Sequence, residues 1–258
     1  MGRIIAIANQ KGGVGKTTTA VNLSACLAQE GKKTLMIDID PQGNATSGLG
    51  IDKKVSKSIY DVIINDEEIK ETLQKTMVDT LKVCPSNINL AGAEIELVSV
   101  ISRENRLKFA LSKVRDEYDY IILDCPPSLG LITLNALTAA DTVLVPIQCE
   151  YYALEGLGQL MSTVDLVQRH LNSNLDVEGV VLTMFDARTN LSNQVVEEVK
   201  KYFDKKVYRT VIPRNVRLSE APSHGLPISI YDPKSKGAQC YVQLAKEVIK
   251  NNEVNKKW

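Results

Sequence analysis

The segment best suited to chemistry lies near the amino terminus, where glycines alternate with lysines and threonines. Residues 9–18 have the sequence NQKGGVGKTT and stand between an apolar run and a helical pattern. Glycines allow backbone N–H groups to approach phosphate oxygens without interference from a Cβ atom. A helix that begins here directs the positive end of its dipole at the same point. The segment therefore predicts a phosphate-binding loop that opens a helix.

Within this loop, Lys16 is expected to reach the β- and γ-phosphates, and the Thr17 hydroxyl is expected to hold Mg²⁺. The match to the ordinary G-x-x-x-x-G-K-[ST] pattern is imperfect, because Gln10 stands where the first glycine is expected and an additional lysine, Lys11, follows it. The expected nucleotide contacts are Lys11, Gly12, Gly13, Val14, Gly15, Lys16, Thr17 and Thr18.

Carboxylates follow two further apolar runs. Asp38 and Asp40 end the run that begins at Thr34, and their spacing of two places them on one face of a strand. Asp124 ends the run 120–123 and is an expected Mg²⁺ ligand. The carboxyl ends of parallel strands form the ligand crevice of an open α/β sheet, so these side chains are expected beside the phosphate loop. After Asp124, Pro126 and Pro127 indicate an extended switch segment that senses the γ-phosphate.

The K-G-G-x-G-K-[ST] form of the loop resembles the deviant Walker A motif of the ParA/Soj and MinD family of ATPases. The resemblance implies a P-loop ATPase that binds ATP and Mg²⁺ and dimerises face to face around the nucleotide. It also implies that Lys11, Lys16 and Asp40 act in catalysis. In that reading Lys11 reaches the nucleotide of the partner subunit, Asp40 orients the attacking water, and Asp38 supports the Mg²⁺ shell. Met184, Pro213 and Asn215 are expected to line the adenine pocket.

The elements that must position these groups alternate along the chain. Continuous apolar runs predict strands at Arg3–Ala8, Thr34–Ile39, Leu81–Pro85, Tyr120–Asp124, Thr142–Ile147, Gly179–Thr183 and Val207–Ile212. Helical patterns lie at Thr17–Gln29, Asn105–Glu117, Leu129–Ala139, Ala153–Leu171, Leu191–Phe203 and Ala238–Lys250. This alternation predicts one doubly wound α/β domain over residues 1–258, with a mostly parallel sheet and helices on both faces. The irregular region Gly43–Ile101 is expected to form a helical flap beside the sheet.

Composition narrows the class of protein. The chain has 258 residues, 44% of them hydrophobic and 24% charged, and no apolar run is long enough to cross a membrane. Its five cysteines form no CxxC pair, which argues against a zinc ribbon or a disulfide scaffold. We expect a cytoplasmic protein with reduced thiols.

The formal net charge of zero conceals an asymmetry. Residues 200–258 hold 13 Lys/Arg and 5 Asp/Glu, a balance of +8, which leaves −8 for residues 1–199. Such a division indicates either an anionic partner for the carboxyl-terminal part or a set of solvated helix faces.

The similarity to the ParA/Soj branch extends over nearly the whole chain, which implies nonspecific double-stranded DNA, a ParB/Spo0J-type protein and a place at the nucleoid. DNA binding of this kind uses basic side chains on phosphates. The candidates are Arg188, Lys200, Lys201, Arg217, Lys234, Lys236 and Lys250.

Two other classes of function remain open at this point. A MinD-like positioning ATPase needs an amphipathic carboxyl-terminal helix, but after Ile249 only Val254 and Trp258 are apolar, so no stable membrane anchor is expected. A metabolic P-loop enzyme such as an amide ligase needs a substrate pocket with its own motif, and the sequence contains none that we identify.

Overall fold

A computed structural model describes residues 1–150 and 155–255 of the chain. The described part contains an eight-stranded sheet in the order β3-β4-β2-β5-β1-β6-β7-β8. Its strands are β1 (Arg3–Ile7), β2 (Thr34–Asp38), β3 (Gln74–Lys75), β4 (Leu81–Cys84), β5 (Tyr120–Asp124), β6 (Thr142–Gln148), β7 (Asp176–Phe185) and β8 (Val207–Pro213).

The sheet is parallel except at β3, which pairs antiparallel with β4. The interior of each central strand is an apolar run, as expected for strands whose two faces are both covered. Along β1, Ile4 and Ala6 belong to one hydrophobic core, and Ile5 and Ile7 belong to the other. This alternation is the period of two that a strand imposes on its side chains.

Helices cover both faces of the sheet. They are α1 (Lys16–Gln29), α2 (Asn44–Gly48), α3 (Ile59–Ile64), α4 (Ile69–Thr72), α5 (Leu90–Glu96), α6 (Arg106–Ser112), α7 (Leu131–Ala139), α8 (Glu155–His170), α9 (Asn190–Phe203), α10 (Val216–Glu220), α11 (Ile228–Tyr231) and α12 (Lys236–Asn255). Buried side chains of α1 and α12 share the core that contains Ile5, and those of α5, α7 and α9 share the core that contains Ile4. The fold class predicted from the sequence is confirmed.

The carboxyl ends of the central strands bring the predicted functional segments together. β1 lies between β5 and β6, and β5 lies between β1 and β2. In the register of the sheet, Asp124 is opposite both Ile7 of β1 and Asp38 of β2. Because the phosphate loop follows β1 directly, the three aspartates and the loop share one edge of the sheet.

Both outer strands of the sheet have a distinctive form. β3 has two residues, and β8 is covered by a carboxylate from α12: Glu247 accepts hydrogen bonds from the backbone N–H groups of Arg209 (2.8 Å) and Thr210 (3.1 Å). The adjoining helix therefore satisfies two consecutive donors of the outer strand.

The structure corrects several boundaries. Strand β3 was not predicted, because two residues carry no periodicity. The helix expected at Asn105–Glu117 is α6 followed by a separate 3₁₀ turn at Arg115–Glu117. The helix expected from Leu129 begins at Leu131, and the region Gly43–Ile101 contains several short helices and strands. Of the helix expected at Ala153–Leu171, residues 153 and 154 lie outside the described residues.

Candidate nucleotide-binding site

The phosphate loop owes its form to two glycines and to a fixed asparagine. Gly13 and Gly15 have positive φ angles of 75° and 89°, which favour glycine, and α1 begins immediately after Gly15. The Asn9 side chain donates a hydrogen bond to the Pro146 carbonyl (2.8 Å) and accepts one from the backbone N–H of Lys11 (3.0 Å). The entrance to the loop is therefore fastened to β6.

Lys16 is the buried cation of the site. Its side chain lies at the start of α1, and its Nζ donates a hydrogen bond to the Lys11 carbonyl (3.0 Å). Burial lowers the pKa of the Lys16 ammonium, and the negative charges of Asp124 and Asp40 oppose that effect. The predicted loop lysine is therefore held among the predicted carboxylates.

Asp124 is fully buried, and neither of its carboxylate oxygens has a hydrogen bond of ordinary geometry among the described residues, although the Thr17 hydroxyl lies close enough to act on the carboxylate as a donor. Burial raises the pKa of this carboxyl well above its ordinary value, and Asp38 raises it further, while the nearby Thr17 hydroxyl and Lys16 act in the opposite direction. A buried carboxylate with unsatisfied oxygens beside a threonine hydroxyl fits a site for a hard cation such as Mg²⁺.

Asp38 has a different environment from Asp124. One oxygen accepts hydrogen bonds from the backbone N–H and the hydroxyl of Thr46 (both 2.7 Å), and the other accepts one from the backbone N–H of Asp40 (3.1 Å). Burial raises the pKa of Asp38 to about 6, although the hydrogen bonds from Thr46 lower it. The structure thus places Asp38 where it shapes the turn that carries Asp40, and its predicted support of the Mg²⁺ shell stays a prediction.

Asp40 lies at the rim of the site and is partly exposed. Its Oδ1 accepts a hydrogen bond from the backbone N–H of Gln42 (2.9 Å), so the side chain is held in a defined turn. Its charge raises the pKa of Asp124 and opposes the lowering of the Lys16 pKa. The structure therefore brings Asp40 within electrostatic reach of the buried groups.

A cavity of about 500 Å³ opens beside the loop. Its lining includes all three residues that the sequence proposed for the adenine pocket, Met184, Pro213 and Asn215, together with Gly15 and Thr18. Met184 has a φ of 51°, a left-handed conformation that is uncommon outside glycine and is concentrated at functional sites. Asn215 caps α10 by accepting a hydrogen bond from the backbone N–H of Arg217 (2.9 Å).

Thr183 is a site residue that the sequence analysis did not propose. Its buried hydroxyl donates a hydrogen bond to the Val14 carbonyl (2.8 Å), which ties the phosphate loop to β7, and the next residue is Met184. A threonine inside an apolar strand is typical of strands in general, so nothing in the local sequence pattern distinguishes this one.

The predicted DNA-binding side chains are all exposed, but they fall into two groups. Arg188 forms an ion pair with Asp186 (2.6 Å), and Arg217 forms ion pairs with Glu220 (2.9 Å) and Asp232 (3.5 Å). The others have no ion pair within the described part of the chain, and they are Lys200, Lys201, Lys234, Lys236 and Lys250. These five lysines are free to contact an anionic partner.

Known proteins are similar to this chain in sequence and in fold. The family model described as an AAA domain matches residues 2–177. The sporulation initiation inhibitor protein Soj of Bacillus subtilis (strain 168) is 67% identical over 252 residues, which cover 97% of this chain and 100% of that protein. The chromosome partitioning protein ParA of Myxococcus xanthus (strain DK1622) is 58% identical over 253 residues, which cover 98% of this chain and 89% of that protein.

Solved structures of similar proteins have the same fold. Cobyrinic acid a,c-diamide synthase from Mycobacterium smegmatis, with bound ADP and magnesium, has a TM-score of 0.87 and 39% identity over 98% of this chain and 96% of that one. The septum site-determining protein MinD from Pyrococcus horikoshii, complexed with Mg-ADP, has a TM-score of 0.80 and 26% identity over 98% of each chain. Both structures hold ADP and magnesium, and a second structure of the Mycobacterium smegmatis protein holds an ATP analogue and magnesium, in agreement with the predicted cofactors, ATP and Mg²⁺.

The α/β sheet and the phosphate loop after its first strand define a P-loop nucleotide-binding protein. With relatives this similar along almost its entire length, the chain belongs to the Soj/ParA family of chromosome-partitioning proteins. The family resemblance that the sequence indicated is therefore confirmed.

Proposed function

We propose that the chain binds ATP with Mg²⁺ at the carboxyl edge of the sheet and hydrolyses it. The observation that carries the proposal is the buried Asp124 carboxylate, which lacks a hydrogen-bond partner within the described residues and lies beside Lys16 and Thr17. A buried carboxylate without hydrogen bonds of ordinary geometry is unfavourable by itself, and a bound cation would remove that cost. The nucleotide-bound relatives support the proposal.

Each residue has a distinct task in the proposed reaction. The backbone of residues 12–15 and the Lys16 ammonium bind the phosphates, and Thr17 and Asp124 hold Mg²⁺, which when bound neutralises charge on the β- and γ-phosphates. Asp40 accepts a hydrogen bond from the attacking water and orients it, and Asp38 fixes the turn that carries Asp40. The cavity with Met184, Pro213 and Asn215 accommodates the base.

Replacing Asp40 with alanine should stop hydrolysis while ATP still binds, because Asp40 lies at the rim and the phosphate-binding groups remain. We expect kcat to fall by about 10²–10⁴-fold, the range for loss of a positioned acid or base. Phosphate release and equilibrium binding of a fluorescent ATP analogue measure the two properties. Asp52→Ala is the matched control, since Asp52 Oδ1 accepts a backbone hydrogen bond from Lys54 (2.9 Å) in the same kind of turn. Normal turnover by the Asp40 variant would exclude Asp40 from catalysis.

We further propose that ATP joins two copies of the chain face to face, with Lys11 reaching the partner's nucleotide, and that the dimer binds double-stranded DNA without sequence preference. A ParB/Spo0J-type partner stimulates hydrolysis, and hydrolysis releases the DNA. Residues 1–258 act as one domain in this cycle, and the basic residues 200–258 belong to it. The protein then works in the cytoplasm at the nucleoid. The membership of the Soj/ParA family supports these assignments.

Reversing two of the unpaired lysines tests the DNA interaction. With ATP present, Lys200→Glu combined with Lys201→Glu should weaken binding of unrelated duplex DNA, and the slope of log K against log salt should fall by about 0.9 per lost phosphate contact. Fluorescence anisotropy at several salt concentrations, with ATP and then with ADP, measures both effects. Lys82→Glu combined with Lys108→Glu, which reverses two exposed lysines outside residues 200–258, is the control for net charge. An unchanged slope would exclude these two lysines from the interface.

The membrane-associated alternative has weaker support. Its support is the MinD structure, which shares the fold. Separately, none of the helices within residues 1–150 and 155–255 has the length and hydrophobicity of a membrane span. The last residues of the tail, Lys256, Lys257 and Trp258, lie outside the described residues. Binding to anionic liposomes, with no binding to DNA in either nucleotide state, would favour this alternative over the DNA interaction.

A further inference from the structure

The helix that follows the Asp124 segment is capped by a residue from a distant part of the chain. Helix α7 begins after Gly130, which has no side chain to satisfy the first backbone N–H groups. Glu94 of α5 caps the helix instead. Its Oε2 accepts a hydrogen bond from the Leu131 N–H (2.9 Å), and its Oε1 accepts one from the Ile132 N–H (3.3 Å). An anionic cap at this end also suits the helix dipole.

Gly130 is fitted to this arrangement. A Cβ atom on residue 130 would lie 2.4 Å from Oε1 of Glu94 and 2.7 Å from Oε2, closer than any Cβ contact allows. The carboxylate therefore occupies the space above the glycine, and the two residues depend on each other. An alanine at residue 130 is therefore expected to push the flexible Glu94 carboxylate away from the first N–H groups of α7, which are the groups that loss of Glu94 would also leave uncapped.

Helix α7 is also hydrogen-bonded to the segment that follows the flap. The fully buried Asn135 accepts a hydrogen bond from the Leu107 N–H (3.1 Å) and donates one to the Arg103 carbonyl (2.8 Å). The short connection from Asp124 to Gly130 is held by β5 at its first residue, and Glu94 binds the two N–H groups that directly follow its last residue. This connection contains Pro126 and Pro127, the switch segment indicated by the sequence.

We propose that Glu94 is a positioning residue for nucleotide hydrolysis, because it fixes the far end of the connection that begins at Asp124. The proposal rests on the proposed ATPase function and assigns Glu94 no contact with the nucleotide. It also makes the flap a partner in the reaction: a movement of α5 changes the geometry of the Asp124 segment through one carboxylate. Loss of Glu94 lowers the rate of hydrolysis and leaves the affinity for ATP unchanged.

The test compares Glu94→Ala with Glu96→Ala. Glu96 lies on the same helix, and its carboxylate accepts a hydrogen bond from the Tyr60 hydroxyl (3.1 Å), so its loss removes an equal charge from the same surface. Hydrogen exchange of a peptide covering residues 129–135 should accelerate about fivefold in the Glu94 variant, as for loss of an ordinary helix cap. Its kcat should fall about tenfold, as small displacements of reacting groups cause, while the Kd for ATP stays constant.

A second pair of variants distinguishes the proposed role of Glu94 from a general folding defect. Gly130→Ala should lower kcat in the wild-type background, yet change it little in the Glu94→Ala background, where the clash is absent. Multiplicative effects of the two substitutions would overturn the proposal, as would faster exchange with an unchanged kcat or an equal loss in the Glu96 variant. A wild-type chain without ATPase activity would instead overturn the proposed function, while the exchange of residues 131 and 132 would still report whether Glu94 caps α7.

Discussion

Replacing Lys16 with alanine should abolish measurable nucleotide binding. The ammonium group is buried near Asp124 and Asp40 in the proposed phosphate loop, so its loss would leave the phosphate charge without the cation assigned to it. Breaking one buried charge pair costs about 3–5 kcal/mol, which corresponds to an affinity loss of at least about 100-fold. This is the largest effect on binding that we expect from a single substitution in the loop.

Isothermal titration calorimetry with Mg-ADP and with Mg-ATP measures this loss. Lys11→Ala is the informative comparison, because it removes a lysine of the same loop whose proposed role is toward the partner subunit. That variant should still bind one nucleotide per chain and should fail to form the ATP-dependent dimer. Tight binding of ATP by the Lys16 variant would contradict the assignment of the phosphate loop.

Replacing Asp124 with asparagine should separate stability from function. The substitution removes a buried charge whose oxygens are unsatisfied in the described structure, so we expect the free energy of unfolding of the nucleotide-free chain to rise by about 1–2 kcal/mol. The same change removes the proposed Mg²⁺ ligand. At a Mg-ADP concentration 100 times the Kd, the wild type should gain about 2.7 kcal/mol, and the variant should gain almost none.

Urea unfolding with and without Mg-ADP measures both effects, and Asp79→Asn, at an exposed position, is the control. The pH adds a second readout. Burial raises the pKa of Asp38 to about 6 and also raises the pKa of Asp124. As the pH falls, the folded chain therefore binds protons at a higher pH than the unfolded chain does. The nucleotide-free wild type should therefore become more stable as the pH falls from 7 to 5, and the variant should respond less. If the variant is no more stable than the wild type, burial of the Asp124 carboxylate does not destabilise the nucleotide-free chain as we expect.

Much of the fold and of the site could be predicted from the sequence because the signals are local. Each central strand is an apolar run bounded by turn residues, and the phosphate loop is a short pattern whose glycines serve one backbone geometry. The strand-end positions of Asp38 and Asp124 follow from the same runs. Parallel order then places these ends on one edge, so proximity follows from topology without any knowledge of contacts.

The remaining features depend on contacts between distant residues, which no local pattern records. Thr183 reaches Val14 across 169 positions, and Glu94 reaches Leu131 across 37. Helix α7 starts at Leu131 rather than Leu129 because of that second contact. The difference between Asp38, which is fully hydrogen-bonded, and Asp124, which has no partner in the described residues, likewise arises from the fold.

The two outer strands of the sheet, β3 and β8, limit the ways in which copies of this chain can associate. Open strand edges are the usual starting point for uncontrolled sheet-to-sheet pairing and aggregation. Here the outer strand β3 is only two residues long. On the outer strand β8, the carboxylate of Glu247 already accepts hydrogen bonds from the N–H groups of Arg209 and Thr210. Extension of the sheet from chain to chain would have to displace that carboxylate. If ATP joins two copies of the chain as proposed, the shielded edge at β8 disfavours irreversible sheet pairing and leaves the reversible contact to other surfaces.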